Sequence, residues 1–323
     1  MIDLWRNNSV KITYSKKYKK IQQKLVFPSA RSAITHSLRL SKLSRNSRIA
    51  VPEWSSACLL NSISKIATPI PFNEVIKYKI NVDGLVIYQQ WGWETLSNHI
   101  DKLSSIFKNK ILILDSVDCT NFIQTHKNYT KYGKFFSQFY NVTSLSKTLG
   151  TKYGGLLINK NKFIEFPNDF NSNINPEKIK IKDEDIKVDF LKSQTSLLPK
   201  ELKKWLKNYD INTSLEIENF QRLKNFELLV VSNLTKKWPK WMKEYDTNNL
   251  SSPGIVPLFF GYENKKIILI QNILLKKFNI KTSIYHFNKS GDQVNSNYKK
   301  CLAFPIHGQI KNLKKIINIL EQY

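Results

Sequence analysis

SLSKTLGTKYGGLLIN, residues 144–159, places a serine three positions before a lysine, then a polar loop, a Gly-Gly pair and an apolar run. Leu156 to Ile158 reads as a strand, and the loop ahead of Gly154 follows another strand expected over about Phe135 to Tyr140. The segments upstream decide what kind of sheet these strands join. KILIL, Lys110 to Leu114, is a short apolar run that ends on Asp115, and DGLVIY, Asp83 to Tyr88, is another, bounded by the turn signal Asp83-Gly84 and by Gly92. Thr95 to Phe107, between them, has helical spacing. Earlier still, Ser29 can cap a helix that begins at Pro28 and presents Ala33, Ile34, Leu38 and Leu40 as its apolar face to about Leu43. A strand (Arg48 to Val51), a helix (about Ser55 to Lys65) and a strand (Ala67 to Ile70) follow. Short apolar strands alternating with longer helices imply an α/β fold with a mostly parallel sheet between helices. Ligands bind such sheets beyond the C-terminal ends of the strands, which makes Asp115 a site candidate.

Downstream, Asn168 to Asp189 is rich in Asn, Asp, Lys and Pro and reads as a connecting loop. Ile211 to Leu234 reads as one long helix with Leu215, Phe220, Leu223, Phe226 and Val230 as apolar positions. After Pro253-Gly254 come the strand IVPLFF, a helix from Glu263 to Phe278, a strand from Thr282 to Tyr285 and a last helix from about Ile310 to Leu320. The expected division is therefore a large domain over residues 1–210 and a smaller C-terminal α/β domain, with its connecting helix, over 211–323.

The chain has 323 residues, 41% of them hydrophobic, so it can bury a substantial core. Its net charge of +26 invites a nucleic-acid or anionic-membrane reading. Only six of its 51 basic residues are Arg, however, while Asn and Ile are plentiful, a composition that follows from an AT-rich genome without selection for phosphate binding. The densest run, Lys16-Lys17-Tyr18-Lys19-Lys20, reads as a solvated face, so nucleic acid is not an expected partner. No apolar stretch is long enough to span a membrane, and the polar N-terminal segment lacks the apolar core of a secretory signal; a cytoplasmic location is expected. Cys58, Cys119 and Cys301 are widely spaced and suit a reducing compartment as buried small apolar residues. His36, His99, His126 and His286 show no metal-ligand spacing, and no metal is expected.

The constellation that carries chemistry is Asp115, Ser144 and Lys147 with the helix start at Ser29, Ala30 and Arg31. In order along the chain, SARSAI (29–34), VPEWSSA (51–57), VIYQQWG (86–92), ILILDSVD (111–118), SLSKTLGTKYGGLLIN (144–159) and LAFPIHGQIKNLKKII (302–317) resemble successive motifs of the DegT/DnrJ-type sugar aminotransferases, a branch of the fold type I enzymes dependent on pyridoxal 5'-phosphate (PLP). The resemblance implies that fold. It implies Lys147 as the Schiff-base lysine, Asp115 as the partner of the pyridine nitrogen, and Ser29, Ala30, Arg31 and Ser144 around the phosphate. Trp54 would stack on the cofactor ring, and Asp118 would stand where His or Gln usually contacts the cofactor hydroxyl or the substrate. Ala30 and Arg31 depart from the family's usual Gly and Thr, although Arg binds phosphate directly.

Such an enzyme moves an amino group from an amino acid, typically glutamate, to a keto-sugar nucleotide or a related carbonyl compound, with Lys147 as general acid-base. The resemblance also implies a homodimer, because enzymes of this fold complete each site with residues of a second subunit. Two alternatives stay open on the sequence: a catalytically silent homologue acting in binding or assembly, and a basic nucleic-acid-binding protein.

Overall fold

The computed structural model describes residues 1–5, 26–121, 125, 127, 129, 131–151, 154–159, 162–164, 211–260 and 264–323. The basic run Lys16 to Lys20, the connecting loop Asn168 to Asp189, His126, Trp205 and the expected domain boundary at 210 lie outside them.

The first sheet draws on β1 (Val26–Phe27), α1 (Ala30–Leu40), β2 (Arg48–Val51), α2 (Ala57–Ser64), β3 (Thr68–Pro71), α3 (Phe72–Lys77), β4 (Gly84–Tyr88), α4 (Ile100–Ile106), β5 (Ile111–Asp115), β6 (Gln138–Ser144), α5 (Leu145–Thr148), β7 (Gly155–Asn159) and β8 (Lys162–Phe163). Its strand order is β1-β7-β6-β5-β4-β2-β3, with β8 paired to β7. From β3 to β6 every pairing is parallel, whereas β7 runs antiparallel to β6, β1 and β8. The continuous apolar runs of β4 and β5 follow from burial on both faces. Side chains alternate, so Val86 and Ile113 join Ala33, Ile34 and Leu38 of α1 on one face, while Leu85, Leu112 and Leu114 meet Phe72, Leu103 and Phe107 on the other. Each such side chain fully removed from water contributes roughly 1.5–3 kcal/mol.

The second assembly comprises α6 (Ile211–Val230), α7 (Lys240–Lys243), β9 (Ile255–Leu258), α8 (Asn264–Phe278), β10 (Ser283–Asn288), β11 (Tyr298–Pro305) and α9 (Leu313–Leu320). Its sheet has the order β10-β11-β9 with antiparallel pairing throughout. Leu4, Trp91 and Trp93 pack into the core beneath it, so the N-terminal residues and the segment after β4 belong to this core and not to that of the first sheet.

Several expectations need correction. β11 supplies a strand that the expected strand-helix-strand-helix order lacked; its opening Lys299-Lys300 and closing Pro305 obscure the apolar alternation. β6 begins three residues later than expected, because Lys131–Phe135 forms a 3₁₀ turn instead. Thr95 to Asn98 does not join α4, and α9 starts only after Asn312, whose left-handed φ of 57° breaks the chain direction. Leu40 and Phe220 are exposed, so neither is a core position of its helix. Cys119 and Cys301 are buried as expected, but Cys58 is exposed.

Candidate active site

Three elements end at one place. β5 delivers Asp115 in register with Tyr88 at the end of β4, and β6 runs into α5, which carries Lys147. Gly154 and Gly155 then bring β7 against the start of α1. Gly154 N donates to Pro28 O at 2.9 Å, and Gly154 O accepts from Leu145 N at 3.0 Å. A Cβ on Gly155 would stand 2.5 Å from Ala30 N, and Gly154 has a φ of 119°, so both positions require glycine. The Gly-Gly pair thus fixes the lysine loop to the N-terminus of α1, where Ser29 Oγ accepts from Ser32 N in a capping box.

These elements surround a cavity of about 550 Å³. Ser29, Ala30, Arg31, Trp54, Asp115, Ser144 and Lys147 all line it, joined by Trp5, Cys58, Tyr88, Trp91, Tyr285 and His286. Among the sequence-predicted residues, Asp118 alone does not. It stands behind Lys147, its Oδ1 3.1 Å from Lys147 Nζ and its Oδ2 accepting a 2.6 Å hydrogen bond from Tyr88 Oη. Arg222, buried and paired with Glu218 at 2.8 Å, donates to the Asp118 carbonyl at 2.8 Å and fixes that backbone. Trp54 lies at the rim, 55% exposed, its ring stacked on His286 at 4.3 Å.

The electrostatics single out Asp115. Asp115 is buried, and its side chain accepts from Val117 N at 3.3 Å. Burial pushes its carboxyl up to about 7; the Lys147 ammonium opposes that shift and the Asp118 carboxylate adds to it. A cationic N–H at Asp115 would compensate what the protein leaves uncompensated. For Lys147, burial favours the neutral amine, but Asp118 and Asp115 outweigh it and raise its pKa above the ordinary lysine value. Burial and the Asp118 carboxylate drive the Tyr88 phenol well above its usual range, so it stays a hydrogen-bond donor. The positive end of the α1 dipole and the Arg31 guanidinium, which line the same cavity, suit a dianionic phosphate. Among the described residues no cluster of His, Cys, Asp and Glu could hold a metal ion, and no helix is long and apolar enough to cross a membrane.

A family model described as "Putative PLP-dependent aminotransferase" matches residues 14–322. The chain belongs to this family of PLP-dependent aminotransferases. The aminotransferase shares the fold type I architecture with solved PLP enzymes at low identity. It resembles the "Putative sugar aminotransferase Spr1654 from Streptococcus pneumoniae, PLP-form" at 13% identity and a TM-score of 0.53, over 98% of this chain and 94% of that one. It resembles 8-amino-7-oxononanoate synthase from Francisella tularensis at 14% identity and a TM-score of 0.57, over 100% and 97% of the two chains. Serine palmitoyltransferase of Sphingomonas wittichii aligns at 10% identity and a TM-score of 0.55, over 92% and 71%. No curated protein matches significantly in sequence. The donor set fits PLP in chemical kind: a buried carboxylate whose burial Lys147 offsets only in part, that lysine's amine, and a helix start with an arginine lining the same cavity.

Tyr88, Trp5, Arg222 and the β10 pair Tyr285 and His286 were not legible as site residues in the sequence. Tyr88 alone had an available signal, since it ends a parallel strand as Asp115 does.

Proposed function

We propose that this aminotransferase carries PLP on Lys147 and moves an amino group from an amino acid, with glutamate the expected donor, to a keto-sugar nucleotide or a similar carbonyl compound, in the manner of the DegT/DnrJ-type sugar aminotransferases. The observation that carries the reading is the convergence of Lys147, Asp115 and the α1 N-terminus on one cavity at the C-terminal edge of the parallel strands. PLP, when bound, supplies an electron sink for the pair of electrons left when a substrate C–H proton departs.

Each of the chain's own groups then has a task. Lys147 Nζ attaches the cofactor and afterwards moves the proton, with Asp118 as its counter-ion and Tyr88 holding that carboxylate in place. The Asp115 carboxylate keeps the ring nitrogen protonated. Ser29, Ala30, Arg31 and Ser144 hold the phosphate, the Arg31 guanidinium taking the role that a Thr hydroxyl has in relatives. Trp54, stacked on His286 at the cavity rim, would pack against the cofactor ring. A second subunit completes the site, and the enzyme works as a homodimer in the cytoplasm.

The test is the pair of half-reactions. L-glutamate should convert the PLP absorbance to that of the amine form, and a keto-sugar nucleotide should restore it. Conversion by glutamate without restoration by any keto-sugar nucleotide would overturn the acceptor class; no conversion by any amino acid would overturn the amino-transfer reading.

A further inference from the structure

The N-terminal residues make a set of contacts that the catalytic reading does not use. Ile2 forms a parallel bridge with Ile280: Ile2 N donates to Asn279 O at 2.8 Å, and Lys281 N donates to Ile2 O at 3.0 Å. His307 Nε2 lies 2.8 Å from the Asp3 carbonyl oxygen, which can only accept, so this nitrogen carries the proton. Leu4 is buried in the core of the second sheet, and Asp3 Oδ1 accepts from Trp5 N at 2.7 Å. With the preceding residues pinned in this way, the Trp5 indole comes to rest with its face 5.2 Å from Lys147 Nζ. It stands edge to face with Tyr285 at 5.5 Å and 68°, and with Trp91 at 6.4 Å and 67°.

We propose that Trp5 is a specificity-determining residue: with Trp91 and Tyr285 it forms an aromatic wall beside Lys147 against which a substrate with a flat, C–H-rich face stacks. The inference rests on the amino-transfer reading only for the identity of the reacting nitrogen. Two observations carry it. Trp5 is only half-buried, and its ring lines the cavity. Among the described residues, the charged side chains lining the cavity are Asp115, Arg31 and Lys147, each already assigned to the cofactor, whereas Trp5, Trp91 and Tyr285 present rings to it. Aromatic faces favour offset or edge contacts with the C–H edges of other flat groups, and they add to the area buried. A short acidic or methyl side chain would gain little there.

The flat face has two possible sources, a pyranose ring or an aromatic amino-acid side chain, and the experiment separates them. The PLP-loaded parent, Trp5→Phe and Trp5→Ala would be assayed with an aminohexose nucleotide, L-phenylalanine and L-alanine as amino donors, with a thermal melt to verify folding. Trp5→Ala should raise KM about tenfold for at least one flat-faced donor, the size expected for a lost stacking contact and its buried area. Its kcat should stay within about threefold, L-alanine should be unaffected to the same margin, and Trp5→Phe should fall between. A shift with the nucleotide alone identifies the sugar ring, and one with L-phenylalanine alone identifies the aromatic side chain. An equal loss with all three donors, a loss in kcat and not KM, or no change would overturn the assignment. Calorimetric titration of the PLP-free protein with 3-phenylpropionate and with methyl glucoside supplies a readout free of turnover. If the parent transfers no amino group from any donor, the amino-transfer reading fails and the titration alone decides: one ligand must bind the parent and bind Trp5→Ala about tenfold more weakly, and equal binding, or none, would refute the wall.

Discussion

Lys147 Nζ and Asp118 Oδ1 stand 3.1 Å apart, and the other Asp118 oxygen is held by Tyr88 at 2.6 Å. The carboxylate favours the ammonium form of Lys147, which counteracts the preference of a buried site for the neutral amine. Asp118→Asn removes that charge while keeping the shape. The Lys147 pKa should fall, more neutral amine should be present near pH 8, and the pH midpoint for PLP attachment, followed by absorbance, should move to lower pH than in the parent. An unchanged or higher midpoint would show that Asp118 does not set the proton affinity of the lysine.

Asp115 gives opposite effects on stability and on turnover. Its carboxyl is pushed up to about 7 in the folded chain against an ordinary 3.8, so the PLP-free protein loses stability as pH rises from the ordinary value through the raised one. Asp115→Asn should therefore melt higher than the parent at pH 8 without PLP. The same variant should lose at least about tenfold in the glutamate half-reaction, because a charge-assisted hydrogen bond contributes roughly 1.5–3 kcal/mol and each 1.36 kcal/mol is one decade. Parental turnover in Asp115→Asn would remove Asp115 from the chemistry.

Glu94 is another buried carboxyl, outside the residues that line the cavity. Its Oε1 accepts from Thr125 Oγ1 and from Ser251 N, both at 2.6 Å, and burial raises its pKa from 4.5 to about 7. A group harder to ionise when folded stabilises fully below its unfolded pKa, and that contribution is lost as pH rises through the folded one. The parent should lose this stability between about pH 5 and 8. Glu94→Gln keeps both accepted hydrogen bonds and should abolish that share, gaining on the parent by at most about 3 kcal/mol at pH 8. Chemical denaturation at pH 5 and pH 8 measures the difference; a gap that does not widen with pH would contradict it.

Gly155→Ala tests the fixed approach of the lysine loop to α1. The added methyl would meet Ala30 N at 2.5 Å, a backbone atom that cannot rotate away, so the start of α1 must shift. We expect a destabilisation of about 1–3 kcal/mol together with faster loss of PLP on dialysis. Parental PLP retention in a folded variant would separate the Gly-Gly pair from the phosphate site.

How much of this was legible in the sequence depends on how local each cause is. The apolar runs at β4 and β5, the Ser29 cap and the Gly-Gly pair are written in neighbouring residues, and the parallel sheet and the cavity follow from them. β11 escaped because its lysines lie on its exposed opening residues while its buried half ends on Pro305. Trp5 and Lys147 are brought together by the docking of residues 2–4 on the second sheet, and Arg222 meets Asp118 only where α6 crosses behind it. Contacts between residues so distant in the chain leave no periodicity to read. Cys58 has small, apolar neighbours and still faces the cavity, because α2 turns its first residues outward from the end of β2.

The central claim, that Lys147 holds the cofactor, is tested most directly by borohydride reduction of the PLP-loaded protein followed by peptide mapping. The pyridoxyl group should appear on the peptide containing Lys147 and be absent in Lys147→Ala. A label on another lysine, or none with PLP in excess, would contradict the account.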